Sequence, residues 1–146
     1  MTARFRILVL CTGNSCRSQM AEALIARVGG DAVEVHSAGT HPSTVNPLTV
    51  AALGEIGIDW SAARSTPMSD YLGQPFDLVV TVCDEVREAC PYFPGARRQV
   101  HSGYRDPALA TGTPEERLAV FREVRDSIAA WAPGFVAEAL AGRDRA

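Results

Sequence analysis

The 146-residue sequence contains no lysine, although it carries 14 basic side chains, all of them arginine. The absence of lysine excludes Schiff-base catalysis and any nucleotide-binding loop that holds phosphate with a lysine amino group. A long apolar run is also missing, since no stretch approaches the ~18 apolar residues of a membrane-spanning helix. The apolar run at residues 7–10, which follows Arg4 and Arg6, is shorter than the ~7–15 residue core of an export signal. We therefore expect a cytoplasmic protein with no membrane partner, which binds anions through arginine or backbone N–H groups.

The sequence also lacks a strong charge of either sign. Its 17 acidic and 14 basic residues give a net charge of −3, and no basic run is present, so we expect no nucleic-acid partner. A chain of this length can fold as one domain, residues 1–146, without a disulfide or metal to stabilise it. Its four cysteines are then available for other work. In a reducing compartment they favour catalysis, redox chemistry or metal binding over a structural crosslink.

Apolar periodicity predicts strands that alternate with helices along the chain. The predicted strands span residues 5–10, 32–36, 78–82 and 99–101, and the predicted helices span residues 18–28, 48–56, 84–89 and 113–131. Pro133 and Gly134 should break or kink the last helix, and residues 141–146 should form a frayed polar end. This alternation predicts a single α/β domain with a parallel sheet. Ligands of such sheets bind beyond the carboxyl ends of the strands.

The first candidate site lies between the first predicted strand and the first predicted helix, where residues 11–18 read CTGNSCRS. Loop N–H groups and the positive end of the helix can surround a tetrahedral anion while Arg17 holds two of its oxygens. The same field favours the nucleophilic thiolate of Cys11, to which the Ser18 hydroxyl can donate. A chance pairing of a buried cysteine with a surface arginine is the alternative, but the strand, loop and helix around it favour an anion site. The predicted anion-binding residues are Thr12, Gly13, Asn14, Ser15, Cys16, Arg17 and Ser18.

A second candidate segment runs from Cys83 to Cys90, and it begins where the third predicted strand ends. Because parallel strands end at one edge of the sheet, Cys83 is expected near Cys11. A helix over seven residues would separate the two α-carbons by ~10 Å, beyond the ~7 Å limit for a disulfide, so a bond would require the segment to unwind. Two packed cysteines on a helix face are the first alternative. Zinc is the second, but the close cysteine pairs usual for structural zinc are absent, and we predict no metal site.

The third candidate is Asp106, which follows the fourth predicted strand and precedes Pro107. A carboxylic acid held there over an anion site can protonate a departing oxygen. In isolation an Asp-Pro pair is more often a turn or the lead-in to a helix. The remaining aromatic and histidine residues are interpreted as packing, structural or surface groups: His36, His41, Trp60, Tyr92, His101 and Trp131.

Together these features resemble the thioredoxin-coupled arsenate reductases, which share the fold of the low-molecular-weight protein tyrosine phosphatases. The loop at residues 11–18 alone matches the wider superfamily. Cysteines at both ends of residues 83–90, followed by Phe93-Pro94-Gly95, are typical of the reductases. The resemblance spans about residues 5–110 and also includes Ser37-Ala38-Gly39, Val45-Asn46-Pro47, Gly57-Ile58-Asp59, Thr81-Val82-Cys83-Asp84, Cys90-Pro91-Tyr92 and Asp106-Pro107.

The resemblance implies a flavodoxin-like, four-stranded parallel sheet with helices on both faces, in a monomer. It also implies a relay in which Cys11 attacks arsenate held by the loop and Arg17, while Asp106 protonates the leaving oxygen. Cys83 would then attack the Cys11 sulfur and release arsenite, and Cys90 would attack Cys83. Thioredoxin would reduce the resulting disulfide, with no other cofactor.

One departure concerns potassium, which some members of this family bind through an Asn, a Glu, a Ser and a Thr-Ser-Asp stretch. Asn14, Glu22 and Ser37 match, but the stretch reads here Arg64-Ser65-Thr66. The missing aspartate argues against a bound potassium ion, and we hypothesise that Arg64 supplies positive charge instead. Two other functions stay open. One is a phosphatase acting on phosphoesters through Cys11, and the other is a noncatalytic redox or metal-binding module that uses the four thiols.

Overall fold

A computed structural model describes residues 4–84 and 90–144. Within those residues the strands are β1 (Phe5–Cys11), β2 (Val33–Gly39), β3 (Leu78–Thr81) and β4 (Gln99–His101). The helices are α1 (Arg17–Gly29), α2 (Pro47–Gly54) and α3 (Pro114–Asp144), with short 3-10 helices at Gly30–Ala32, Met68–Tyr71 and Pro107–Leu109. The strands form one parallel sheet in the order β2-β1-β3-β4.

The central strand β1 is apolar on both faces because both faces of the sheet are covered. Ile7 and Val9 pack into the larger core beneath the three α-helices, and Leu8 and Leu10 pack into a smaller core on the opposite face. All four side chains are fully buried. The alternation follows from the two-residue period of a strand, and it determines which face of the sheet each side chain of β1 contacts.

The two faces of the sheet are covered differently. The larger core includes Leu24 of α1, Leu53 of α2 and Ile128 of α3. On the other face, Phe76 and Phe93 fill the smaller core, and the 3-10 helix Met68–Tyr71 packs over it. The predicted fold class, a single α/β domain with a four-stranded parallel sheet, is confirmed, with the three α-helices on one face and the 3-10 helix Met68–Tyr71 on the other.

For α3, the predicted break at Pro133 was wrong, and so was the predicted fraying of residues 141–144. The helix continues through Pro133, and residues 141–144 are helical rather than frayed, while residues 145–146 lie outside the described residues. A proline inside a helix costs ~3 kcal/mol, but the buried side chains of Ile128, Ala132 and Val136 hold both halves of α3 on the same core. Among the described residues, no helix is both long and apolar enough to cross a membrane.

Strand β2 extends three residues beyond its predicted end, to Gly39. Ser37, Ala38 and Gly39 are small residues with weak strand signals, but they pair in register with Val9, Leu10 and Cys11. A Cβ at Gly39 would lie 2.4 Å from the Thr12 carbonyl oxygen, so only glycine permits this approach of β2 to the loop that follows β1. The predicted helix at residues 84–89 falls almost wholly on residues 85–89, which lie outside the described residues.

Candidate active site

The loop between β1 and α1 forms one wall of a surface pocket of about 270 Å³. The opposite wall comes from the segment that follows β4, so the pocket lies at the carboxyl edge of the sheet, as expected for a parallel α/β fold. Its lining residues are Cys11, Thr12, Gly13, Ser15, Cys16, Arg17, Ser43, Asp106 and Ala108. The structure thus brings Cys11, Arg17 and Asp106 together, although Asp106 is far from the others in sequence.

Cys11 ends β1 and is 2% exposed. Its Sγ lies 2.9 Å from Ser18 Oγ and accepts a hydrogen bond from the backbone N–H of Asn14 at 3.3 Å. Among the described residues, no side chain caps the start of α1, and its first turn contains no acid. A helix start of this kind is suited to an anion, because the first N–H groups point outward with a positive partial charge.

Asn14 holds the loop in shape from behind the pocket. It is fully buried and adopts a positive φ of 50°, which asparagine tolerates better than most residues. Its Nδ2 donates to Ser18 Oγ at 2.7 Å and to Ser37 Oγ at 2.9 Å, and its Oδ1 accepts from the backbone N–H of Thr66 at 2.8 Å. Asn14 therefore links the loop to α1, β2 and the segment after residue 63.

Two further side chains, the partly buried Glu22 and the buried Gln19, support this arrangement. Glu22 accepts a hydrogen bond from Ser37 Oγ at 2.5 Å, and burial raises the pKa of its carboxyl above the usual value. Gln19 donates to the Asn14 carbonyl at 3.0 Å and accepts from the indole N–H of Trp60 at 2.8 Å. The roles of Gln19 and Trp60 were not predicted from the sequence, since their partners lie up to 41 residues away along the chain.

The segment 64–66 differs from the expected cation-binding stretch in structure as well as in sequence. Arg64 is exposed, and its backbone carbonyl accepts from Gln19 Nε2 at 3.1 Å. Ser65 Oγ donates to the Asn14 carbonyl at 2.8 Å. These contacts bind the segment to the loop directly through protein hydrogen bonds.

Arg17 and Asp106 face each other across the pocket. Arg17 is 3% exposed and donates to the Tyr104 carbonyl at 3.1 Å, while its Nη2 lies 3.7 Å from Asp106 Oδ2. Asp106 Oδ1 accepts from the backbone N–H of Ala108 at 3.0 Å and caps the 3-10 helix Pro107–Leu109. Asp106 thus leads into a helix and also lines the anion pocket, and its role as a general acid stays a prediction.

Cys16 lies in the same loop but in a different environment from Cys11. Burial raises the pKa of its thiol from 9.0 to about 11, and its Sγ lies 3.6 Å from Ser15 Oγ. At neutral pH the side chain is therefore a protonated thiol, which is a weak nucleophile. That Cys16 is dispensable for catalysis stays a prediction.

Cys83 and Cys90 are joined by a disulfide, and their α-carbons lie 6.0 Å apart. This distance is shorter than the ~10 Å that a continuous helix would impose. Cys83 is fully buried just after β3, and Cys90 is partly exposed. Cys11 and Cys16 are free thiols. Of the predicted site residues, Cys83 and Cys90 form a separate pair outside the pocket around Cys11, whereas Asn14 and Ser18 lie behind the pocket lining.

His101 lies beside this disulfide, a contact that was not predicted. It is the last residue of β4, and its Nδ1 is 3.9 Å from Cys90 Sγ and 2.7 Å from Thr81 Oγ1. The side chain is exposed, as expected for a surface histidine. Because β3 and β4 end at the same edge of the sheet, the position of His101 at the end of β4 is the sequence signal for its contact with the disulfide.

A sequence profile described as low molecular weight phosphotyrosine protein phosphatase matches residues 6–144. The chain belongs to this family. It is 51% identical to an arsenate reductase of Halalkalibacterium halodurans over 122 residues, which are 84% of this chain and 88% of that protein. The resemblance to arsenate reductases within this phosphatase family is therefore confirmed.

Solved structures place this family member beside the same enzymes. An arsenate reductase in a phosphate-binding state superposes with a TM-score of 0.74 at 27% identity, covering 92% of this chain and 98% of that one. A thioredoxin-dependent arsenate reductase of Corynebacterium glutamicum gives a TM-score of 0.71 at 25% identity, covering 97% of this chain and 64% of that one.

Proposed function

We propose that this protein reduces arsenate to arsenite by a relay of Cys11, Cys83 and Cys90, and that thioredoxin regenerates it. The observation that carries the proposal is the Cys83–Cys90 disulfide at the sheet edge that also holds the anion pocket. Hydrolysis of a phosphoester needs only the pocket and has no use for a second, separate pair of thiols. Relatives named arsenate reductase support the same conclusion.

In the first step the Cys11 thiolate attacks arsenic, and one arsenate oxygen leaves. Arg17 and the loop N–H groups hold the remaining oxygens in place. Asp106 lies 3.7 Å from the Arg17 guanidinium, where it can give its proton to the leaving oxygen. The product is an arsenate bound covalently to the Cys11 sulfur, with arsenic still in its pentavalent state.

Reduction takes place in the second step, when the Cys83 thiolate attacks the Cys11 sulfur. An S–S bond forms, the S–As bond breaks, and its electron pair stays on arsenic, which leaves as arsenite. Cys90 then attacks Cys83 and releases Cys11 as a thiolate. The disulfide that results is the one present in the structure.

The last exchange moves the oxidised pair towards solvent. Cys11 and Cys83 are buried, whereas Cys90 is partly exposed, so an external dithiol can reach the final disulfide. Thioredoxin is the proposed reductant, which fits a cytoplasmic protein and the thioredoxin dependence of the Corynebacterium relative. One chain supplies all the residues, so we propose that the protein works as a monomer.

We also propose that the relay needs no bound potassium. Asn14 Oδ1 already accepts from the Thr66 N–H, the Ser37 hydroxyl donates to Glu22, and Thr66 stands where the expected stretch has aspartate. An oxygen of each matching residue, Asn14, Glu22 and Ser37, thus already takes part in a hydrogen bond within the protein. Equal turnover in sodium and potassium buffers of the same ionic strength is the expected result, and a strong potassium requirement would contradict it.

Phosphoester hydrolysis is the second candidate, favoured by the pocket that unites Cys11, Arg17 and Asp106. Arsenate and phosphate have nearly the same shape and charge, so the pocket alone does not separate the two functions. Arsenate-dependent oxidation of reduced thioredoxin, measured beside hydrolysis of an aryl phosphate, separates them. We expect the first reaction to be the faster, and hydrolysis without arsenate reduction would make the protein a phosphatase.

The Cys90→Ser variant tests the relay itself. It retains Cys11 and Cys83, so it should release one equivalent of arsenite per protein and then stop. Peptide mapping should find a trapped disulfide between Cys11 and Cys83 in the variant, and the Cys83–Cys90 disulfide in the unmodified protein. Full multiple turnover by Cys90→Ser with thioredoxin would rule out the three-thiol relay.

A further inference from the structure

The disulfide and His101 together form a cluster of potential metal ligands. The two Sγ atoms of Cys83 and Cys90 and one ring nitrogen of His101 all lie within 4.8 Å of one another. Among residues 4–84 and 90–144, no other group of three or more histidine, cysteine or acidic side chains meets this condition. The cluster lies at the carboxyl ends of β3 and β4, and it is separate from the residues that line the anion pocket.

We propose that the reduced protein binds one zinc ion through Cys83, Cys90 and His101. Two thiolates and an imidazole are a typical zinc ligand set, whereas magnesium and calcium take oxygen ligands. The oxidised protein lacks these ligands, because both sulfurs are committed to the disulfide. The proposed site therefore exists only after reduction, and its occupancy depends on the redox state of the protein.

The distances around His101 fit this ligand set. Zinc bonds of ~2.3 Å to sulfur and ~2.0 Å to nitrogen in a tetrahedral site separate the two ligand atoms by ~3.5 Å. His101 Nδ1 is 3.9 Å from Cys90 Sγ in the disulfide form, so a shift of a few tenths of an ångström suffices for this pair. Reduction lets the two sulfurs move apart to the ~3.8 Å of a zinc dithiolate.

Binding changes protons and not electrons. The two thiols lose their protons as the zinc–sulfur bonds form, and neutral His101 donates a nitrogen lone pair. At present Nδ1 lies 2.7 Å from Thr81 Oγ1, and this contact orients the ring towards the sulfurs. Zinc replaces that contact at Nδ1, and it leaves the Thr81 hydroxyl next to the metal-bound thiolates. The three protein ligands leave a fourth position for water.

The consequence for the relay rests on the proposed function, whereas zinc binding itself does not. Zinc bound to Cys83 and Cys90 occupies both thiols that follow Cys11 in the relay. The metal would therefore stop turnover after the first step, and a chelator would restore it. In this way the reduced protein would respond to free zinc as well as to its reductant.

The test uses the full chain, reduced with a phosphine under anaerobic conditions and titrated with zinc alone against a chromophoric chelator. We expect one zinc per chain in the reduced protein and at least ~10²-fold weaker binding after oxidation, because loss of even an outer partner of a zinc site costs ~10–100-fold. Cobalt in place of zinc should give the near-ultraviolet absorption of a metal–thiolate bond. Absence of binding by the reduced protein would overturn the proposal, and because no arsenate is present, that result would leave the reductase function untouched.

His101→Gln is the decisive variant, since the side chain is exposed and its replacement should leave the fold intact. It should bind zinc at least ~10²-fold more weakly, while His41→Ala, another exposed histidine, should bind like the unmodified protein. Zinc should also slow alkylation of Cys83 and Cys90 in the reduced protein, as read by mass spectrometry. Unchanged affinity in His101→Gln, or protection of Cys11 in place of Cys90, would overturn the assignment of ligands.

Discussion

The neighbouring strands β1 and β3 both lead to a cysteine, but the surroundings of Cys11 and Cys83 differ. After β1, a buried network of hydrogen bonds from Asn14 and Ser18 holds the loop around Cys11. After β3, one covalent bond joins Cys83 to a partly exposed cysteine, and Cys90 Sγ lies 3.9 Å from Nδ1 of His101, the exposed last residue of the edge strand β4.

The difference corresponds to two kinds of chemistry. Attack on an oxyanion is fast only when nucleophile, anion and acid are held in a fixed geometry, so a rigid and dry loop favours it. Thiol–disulfide exchange instead needs sulfurs that can approach one another and reach a partner. We infer that Cys11 at the end of β1 performs the reaction on arsenic, and that the cysteines after β3 supply the electrons that reduce it.

The largest expected effect is on Cys11, because both kinds of chemistry depend on it. Cys11→Ser should abolish turnover, since a serine hydroxyl is a far weaker nucleophile than a thiolate. Phosphate binding, measured by calorimetry, should persist because Arg17 and the loop N–H groups remain. If this variant still oxidises thioredoxin when arsenate is present, Cys11 has no part in the mechanism. The division of chemistry between the regions around Cys11 and Cys83 would then be wrong.

The next effect concerns Asp106, which lines the anion pocket opposite the loop after β1. Asp106→Asn should lower kcat by ~10²–10⁴-fold, the usual contribution of a general acid, with phosphate affinity little changed. Kinetics under saturating thioredoxin would measure the change. A loss confined to KM would mean that Asp106 only positions the anion.

A smaller effect is expected from Asn14→Ala, which leaves buried partners on three segments without their hydrogen bonds. The free energy of unfolding should fall by about 2–4 kcal/mol, and kcat/KM should fall by ~10²-fold as the loop loses its shape. Asn46→Ala is the matched control, since Asn46 caps α2 through the Leu48 N–H. It should cost about 1 kcal/mol with turnover unchanged. Equal turnover in the two variants would show that the hydrogen-bond network is not needed for catalysis.

The smallest effect on turnover is expected from Cys16→Ser, which should still cycle. A pH dependence distinguishes this cysteine. Because burial raises the pKa of the Cys16 thiol from 9.0 to about 11, the folded protein retains a proton that the unfolded chain loses. Stability should therefore fall as pH rises through this window, and chemical denaturation should show a smaller fall in Cys16→Ser. A variant that folds but no longer reduces arsenate would mean that the relay uses a fourth thiol.

Local patterns predicted those parts of the fold and site that local physics controls. The apolar run of β1, the glycine and asparagine of the loop and the helix that follows were sufficient to locate Cys11 and Arg17. The end of β2 was missed because Ser37, Ala38 and Gly39 are placed by pairing with β1. The predicted break at Pro133 was wrong because packing of α3 on the core outweighs a local helix-breaking rule.

Contacts across the sequence could not be predicted in the same way. Trp60 reaches Gln19 only because the segment after α2 returns to α1, and His101 approaches Cys90 because the neighbouring strands β3 and β4 end at one edge of the sheet. A histidine at the end of a short strand carries no signal of its own. The family resemblance predicted the pair of Cys83 and Cys90, but the position of His101 beside this pair depends on tertiary structure.

The two carboxyl oxygens of Asp106 have unequal surroundings, and this inequality determines where an acidic proton resides. Oδ1 accepts the Ala108 N–H that starts the 3-10 helix, so a proton on that oxygen would face another proton. A proton on Oδ2, which lies on the Arg17 side of the pocket, leaves the contact with Ala108 intact. The backbone turn thereby favours the form of the acid whose O–H lies on the side of the pocket that we propose holds the anion. In Asp106→Asn the same N–H would orient the amide oxygen towards Ala108, leaving an NH₂ group that can donate a hydrogen bond but cannot transfer its proton.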